Sequence, residues 1–324
     1  MAELEASIVI PTYNGERYLD DLLSALERQH GIDRAEVIVI DSGSSDGTLD
    51  IVARHPSVRL VEIPNAEFGH GRTRALGAEL ARGRYVVYLT QDAVPADAHW
   101  LAEMIAPFEI DERIVLVTGR QIPRSRAFPL QKYEIVGAFR ALGPDDATTL
   151  HGGWTRPPTD AQFSIASFHS DVNAAVRRDR VTTDLPFRDV PYAEDQMMGR
   201  DVLDAGLLKA YAGRGAVVHS NDLDYSEYGP RIFDETVGLR RIGTPIPPLS
   251  RRAQLVHTVR GALGDTVRIL RDGDLSATAR LRGLVVNPAY HARKWAAYRR
   301  ASRVALTDAS RIADASLEAR RKTR

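Results

Sequence analysis

The chain has 324 residues and not one cysteine. That absence removes both a disulfide framework and any thiolate metal site, and it suits a reducing cytoplasm. Also missing is any run approaching the ~20 apolar residues that span a bilayer. Residues 1–6 hold no basic stretch leading into an apolar one, so neither a membrane-spanning helix nor a signal peptide is expected. No internal repeat and no low-complexity block interrupts the chain, and a 44% hydrophobic share excludes disorder throughout. Net charge is lacking too, because 43 Lys and Arg balance 43 Asp and Glu. The balance conceals a split: residues 251–324 carry 17 cations against 6 acids, and residues 1–250 carry 26 against 37. A basic tail of that kind suggests an anionic partner of its own.

What is present is an alternation of periods. Strand-like runs at 7–10, 37–40, 58–63 and 85–89 alternate with helix-like spacing at 18–26, 49–52 and 72–81. Such a βαβ series predicts a mostly parallel sheet with helices on both faces. A helix is expected at 100–108 and a strand at 114–119. Residues 120–170 lose the rhythm under five prolines and the Gly152-Gly153 pair, and read as an insertion over the ligand face. Order is expected again at 170–177, in a helix after Glu194, and in a strand at 216–219. Prolines 245, 247 and 248 mark a hinge, after which Val256, Val259, Leu263, Val267 and Leu270 recur at helical steps among arginines.

Three strands end in polar groups. The first runs into Pro11-Thr12-Tyr13-Asn14, the second into Asp41-Ser42-Gly43-Ser44-Ser45-Asp46-Gly47-Thr48, and another into Thr90-Gln91-Asp92-Ala93. Acids at the carboxyl ends of parallel strands sit where open α/β sheets bind ligands, which makes Asp41 a nucleotide-site candidate. A dinucleotide fold is excluded, because 69–74 lacks the third glycine of Gly-x-Gly-x-x-Gly and does not follow the first strand. Asp46 reads equally as a helix cap. Glu194 and Asp195 are adjacent, so they cannot point the same way on a helix, and one at most is a base. As a pair they also suit the positive end of a helix dipole.

These pieces, with Ala193-Glu194-Asp195-Gln196, resemble the family 2 glycosyltransferases over roughly residues 7–220. The resemblance implies a GT-A, Rossmann-like α/β fold with a C-terminal helical extension. It implies a catalytic domain at 1–244, divided into a nucleotide-sugar half at 1–119 and an acceptor half at 120–244, followed by a basic extension at 245–324. Phe68-Gly69-His70-Gly71-Arg72-Thr73-Arg74 together with Gln91-Asp92-Ala93 is similar to the bacterial rhamnosyltransferase branch, which uses dTDP-rhamnose. By that likeness the chain inverts the sugar as it moves it to a glycan or lipid-linked acceptor in cell-surface polysaccharide synthesis. Another nucleotide hexose is the alternative donor, and a noncatalytic sugar-nucleotide-binding protein the alternative class.

The resemblance assigns Asp195 as base and Glu194 as its neighbour on substrate. It gives Thr12, Asn14, Asp41, Ser42 and Gln91 to the nucleotide, and His70, Arg72 and Arg74 to phosphates or sugar hydroxyls. It implies a divalent cation, Mg²⁺ or Mn²⁺, on Asp92 with His219 completing the shell. The family's usual Asp-x-Asp is reduced here to a single acid after Gln91. Trp154 is open between stacking on an acceptor sugar and core packing. For the tail two readings stand: attachment to the anionic inner face of the cell membrane, with Tyr290, Trp295 and Tyr298 at the interface, or helices packed on the core. Nucleic acid is not expected as a partner, since the remainder of the chain is acidic.

Overall fold

A computed structural model describes residues 4–322, Pro191 and Asp222 excepted. Two compact units emerge: the residues up to Arg124 together with Ile135–Ser220, and Ser125–Glu134 together with the chain from Asn221 onward.

The first unit is built on a nine-stranded sheet. Its strands are β1 (Ala6–Thr12), β2 (Ala35–Asp41), β3 (Val58–Glu62), β4 (Tyr85–Leu89), β5 (Val94–Pro95), β6 (Ile114–Ile122), β7 (Thr148–His151), β8 (Asn173–Arg177) and β9 (Leu208–Val218). The order is β3-β2-β1-β4-β8-β6-β9-β5, with β7 also on β9. Pairing is parallel through β3-β2-β1-β4 and between β6 and β9, and antiparallel at the β4-β8, β6-β8, β5-β9 and β7-β9 contacts. The sheet is therefore mixed to a greater degree than the alternation suggested. The cause is β8, which arrives by a long connection, runs against both neighbours and holds them in a common direction.

Two apolar layers cover it. Leu19, Leu22, Leu23 and Leu26 of the helix Leu19–Glu27 join Trp100, Met104 and Ile8 on one side. On the other, Ala78, Val202 and Met198 meet Val9, Ile38 and Tyr88. Close packing on that side requires glycine at position 77, where a Cβ would lie 2.4 Å from Val9 Cγ1. Residues 120–170 are more ordered than their prolines suggest: they contain the helices Pro129–Leu142 and Asp160–Ser167 and strand β7. Pro129 opens its helix at the one position where a missing N–H is free of consequence. β9 begins at Leu208, eight residues before the expected start, because the buried Lys209 and Gly213 disguise its first half as polar chain.

In the second unit, Phe233 and Val237 of the helix Tyr225–Arg241 pack on Ala301, Ile312 and Ala315. That helix thus belongs with Arg251–Arg271 and Ala277–Arg303, and compactness divides the chain near residue 220, not at the proline hinge. The tail aromatics face inward. Tyr290 stacks on Phe128 with ring centres 4.0 Å apart, Trp295 stacks on His257 at 4.5 Å, and Tyr298 meets Trp295 edge-on at 5.5 Å. The expected aromatic belt at a membrane interface is instead internal packing.

Candidate active site

Strand direction gathers the candidate residues. β1, β2 and β4 run parallel, so Thr12, Asp41 and Asp92 emerge at one edge of the sheet. β8 is antiparallel to β4 and to β6, and β9 is parallel to β6, so the start of β8 and the end of β9 return to that edge. Asp171 and His219 arrive there by this route.

The loops after β1 and β2 are zipped together. Asp41 is fully buried, and its carboxylate accepts four hydrogen bonds: from Thr12 Oγ1 (3.1 Å), Ser44 Oγ (2.5 Å), Gly43 N (3.0 Å) and Ser44 N (2.9 Å). Ser42 Oγ donates to Thr12 O at 3.0 Å, Asn14 N to Ser44 Oγ at 2.8 Å, and Ser45 N to Asn14 Oδ1 at 2.8 Å. Asn14 holds a left-handed φ of 49°, which asparagine tolerates better than most residues. Thr12, Asp41 and Ser42 are closed to solvent here and bond to one another and to Gly43 and Ser44, which fixes the shape of the two loops. Asp46 lies just before the next helix and accepts from Thr48 N (3.0 Å) and Glu16 N (3.1 Å), bonds that hold this turn to the loop after β1. Burial works to raise its pKa, but the bonds from Thr48 and Glu16 outweigh it and the value falls.

Gln91 extends the same clamp. Its Oε1 accepts from Tyr13 N at 2.8 Å and its Nε2 donates to Tyr13 O at 3.1 Å, as a strand neighbour would. The residue that stands where an acid would be expected thus fixes backbone. Above it the Tyr13 ring is 49% exposed, a feature of the site that loop position alone did not single out.

Asp92 meets two cationic or polar partners: His219 Nε2 lies 3.3 Å and Arg124 Nη1 3.8 Å from its Oδ2. Burial pushes the Asp92 pKa up, but His219 and Arg124 outweigh it and hold the carboxyl below its ordinary value. Gln121 orients the imidazole. Its Nε2 donates to Ser170 Oγ at 3.1 Å, leaving Oε1 as the acceptor for His219 Nδ1–H at 3.0 Å. Nε2 therefore faces the carboxylate with a lone pair unless a proton or a cation intervenes. Among the described residues no three His, Asp or Glu gather into a metal cage. One carboxylate and one imidazole at the sheet edge nevertheless fit a Mg²⁺ or Mn²⁺ ion that keeps waters and shares substrate phosphates. Arg124, which the sequence did not flag, also donates to Ser220 O at 2.5 Å and to Asp92 O, and lies 4.0 Å from the Tyr18 ring centre. A groove of about 560 Å³ opens beside it, lined also by Asp21, Ser24 and Arg28.

The pair at 194–195 starts the helix Glu194–Asp204, entered through Ala193 at a left-handed φ of 66°. That conformation costs an alanine about 1–2 kcal/mol and persists only because the surroundings over-determine it. The two acids diverge as their adjacency requires. Glu194 Oε1 accepts from Arg74 Nη1 at 2.7 Å, and Arg74 Nε reaches Asp171 Oδ2 at 3.3 Å. Asp171 Oδ1 binds His169 Nε2 at 3.0 Å, and His169 Nδ1 meets Thr118 Oγ1 at 2.6 Å. Burial pushes His169 below its ordinary value despite Asp171, so it serves as a neutral link. Among the described residues Asp195 stays outside these pairs, with Oδ1 accepting from Gln196 N at 2.7 Å. Burial, then Glu194 and Asp171, push its pKa well above the carboxylate range against the opposing pull of Arg74. A half-buried carboxyl with raised proton affinity and a free oxygen is suited to general-base work.

Residues 7–181 match the family model described as glycosyl transferase family 2. The chain belongs to that family. It is 29% identical over 237 residues to the O-antigen chain rhamnosyltransferase RfbN of Salmonella typhimurium, covering 72% of each chain. It is 30% identical over 238 residues to the O-antigen chain rhamnosyltransferase WbaN of Salmonella anatum, covering 71% of each. In fold it is similar to the crystal structure of S. aureus TarS 1–349 in complex with UDP-GlcNAc, with a TM-score of 0.52 at 16% identity, covering 96% of this chain and 79% of that one. The fold is thus the GT-A type.

For this family 2 glycosyltransferase three expected phosphate contacts need revision or placement. Arg74 is 5% exposed and held between Glu194 and Asp171, so it organises the acids and does not face solvent. Arg72 is exposed and paired with Asp189 at 2.7 Å, and His70 is exposed with Phe68 edge-on at 5.1 Å. Trp154 is 38% exposed, beside a 240 Å³ hollow lined by Leu150, Gln162 and Ile165, so the core-packing alternative falls away.

Proposed function

We propose that this glycosyltransferase moves L-rhamnose from dTDP-rhamnose, with inversion, onto a glycan or lipid-linked acceptor of a bacterial surface polysaccharide. The observation that carries the chemistry is the carboxyl of Asp195, which stands outside the linked pairs of Glu194, Arg74, Asp171 and His169 beside it. The donor reading is supported by the two rhamnosyltransferase relatives that match over more than two thirds of both chains.

Asp195 accepts the acceptor hydroxyl's proton as that oxygen forms a bond to C1 of the sugar. The C1–O bond to the diphosphate breaks in the same displacement, dTDP leaves with the electron pair, and the anomeric centre inverts. One base suffices and no enzyme nucleophile is required. Asp92 and His219 would hold the divalent cation, which when bound supplies Lewis-acid stabilisation of the diphosphate. Glu194 and Arg74 keep the helix start in register, and the exposed Tyr13 and Asn14 meet the nucleotide on a loop that Asp41, Thr12, Ser42 and Gln91 shape from beneath. Arg72 and His70 are the remaining groups for phosphate or sugar hydroxyls, and Trp154 for an acceptor sugar. A cytoplasmic protein attached peripherally to the membrane would meet both substrates.

The test is a donor screen by protection against thermal unfolding. A ligand at ~100 times its dissociation constant adds about 2.7 kcal/mol to the folded state. Protection by dTDP-rhamnose exceeding that by UDP-glucose and GDP-mannose is the expected result. Preference for either of the others would replace rhamnose with that hexose.

A further inference from the structure

Among the described residues, eight of the fifteen exposed large apolar side chains lie on one pair of helices in the second unit. On Arg251–Arg271 they are Leu255 (64% exposed), Val256 (57%), Val259 (49%), Leu263 (64%), Val267 (46%) and Leu270 (56%). At 100° per residue these six fall within roughly 120° of the helix surface. The next helix, Ala277–Arg303, adds Leu281 (65%) and Val285 (72%) one turn apart. This stripe is not the face that holds the pair together. That work falls to the opposite side, where His291 Nε2 meets Asp265 Oδ2 at 2.9 Å, Asn287 Nδ2 donates to Ala262 O at 2.8 Å, and Ile269 is fully buried. A folded, already satisfied helix pair therefore carries a second apolar face, of the kind that marks an interaction surface.

Charge decides what fits it. Residues 251–303 hold 12 Lys and Arg against 3 Asp. Two of those acids are committed: Asp265 to His291 and Arg268, and Asp272 to Lys132 at 2.8 Å. Exposed Arg252 lies within the apolar stripe, and exposed Arg260 and Arg271 border it. A second copy of the chain would set these cations against their own equivalents across a twofold axis. A nucleic acid would use the cations and leave the apolar side chains in water. Only an anionic lipid leaflet answers both, taking the aliphatic groups below its headgroups while the guanidinium groups remain at phosphate level.

We propose that the leucine and valine stripe of Arg251–Arg271, extended by Leu281 and Val285, docks this protein on an anionic membrane surface. The aromatic residues of the tail take no part, being packed internally. The docking is independent of which nucleotide sugar is used, and it is read without turnover.

The experiment is sedimentation of the full chain with phosphatidylglycerol–phosphatidylcholine vesicles and with pure phosphatidylcholine, at low and at physiological salt. The intact protein is expected to partition onto the anionic vesicles and to stay in solution with the neutral ones, and salt should release it only in part, because the apolar share is not screened. Val259→Asp with Leu263→Asp should weaken partitioning about tenfold or more. Both side chains are exposed, so the thermal midpoint and donor protection should be unchanged. Failure of the intact protein to bind anionic vesicles at low salt overturns the proposal. So does concentration-dependent dimerisation in ultracentrifugation that the same double substitution abolishes.

Discussion

A carboxylate that must take up a proton has to be kept from the cations that would stabilise its ionised form. At residue scale that separation is visible in how three acids are arranged around one arginine. Arg74 satisfies Glu194 and Asp171, His169 takes the other oxygen of Asp171, and Asp195 accepts from the backbone of Gln196. Because Asp171 and Glu194 both raise Asp195, neutralising one should lower it. Asp171→Asn is therefore expected to move the acidic limb of the kcat/KM profile to lower pH, while a merely structural role would reduce activity without moving the limb. The same shift has a cost in the fold. Asp195 binds its proton more tightly folded than unfolded, so its contribution to stability is full below the unfolded carboxylate pKa and is lost as pH rises through the folded one. Asparagine at 195 removes that loss at neutral pH. The Glu-Asp pair was legible from its motif, whereas Asp171 was not: a lone acid before a strand has no spacing that marks it, and its partners at 74, 169 and 194 converge only through tertiary folding.

At the scale of elements, the candidate site includes two loops held in shape by side-chain bonds to their own backbone. Gln91 pairs with both backbone groups of Tyr13, and the turn after β2 closes on Asp41. Gln91→Ala releases two hydrogen bonds, each worth ~0.5–1.5 kcal/mol. Calorimetric titration with dTDP should then show affinity about three- to tenfold weaker, with the pH limb of turnover unmoved. Unaltered affinity would mean that the loop holds its shape without the clamp. The strands before these loops were readable because each is an unbroken apolar run buried on both faces. Helix 129–142 and the first half of β9 were not, since proline, glycine and the buried Lys209 imitate loop composition while packing supplies the order. Trp295 and Tyr298 misled in the other direction, because aromatic rings amid arginines suit a membrane interface and a helical packing seam equally well.

At the scale of the whole molecule, the charge split follows the division into units only approximately, and the stretch before the proline hinge explains why. Helix Tyr225–Arg241 shares the apolar cluster of the last helices, so it belongs to the second unit although it precedes the hinge. No described helix is long and apolar enough to cross a membrane. What unites the account is the proposed reaction, in which a family 2 fold uses Asp195 as its base. Its most direct test is the release of dTDP from dTDP-rhamnose by the intact enzyme and by Asp195→Asn, in the presence of a lipid-linked glycan acceptor and with donor binding measured alongside. The variant should bind donor within about twofold of the intact protein, keep or raise its thermal midpoint at neutral pH, and turn over ~10²- to 10⁴-fold more slowly. Near-normal dTDP release from the variant, or none from the intact enzyme under conditions where another nucleotide sugar is consumed, would contradict it.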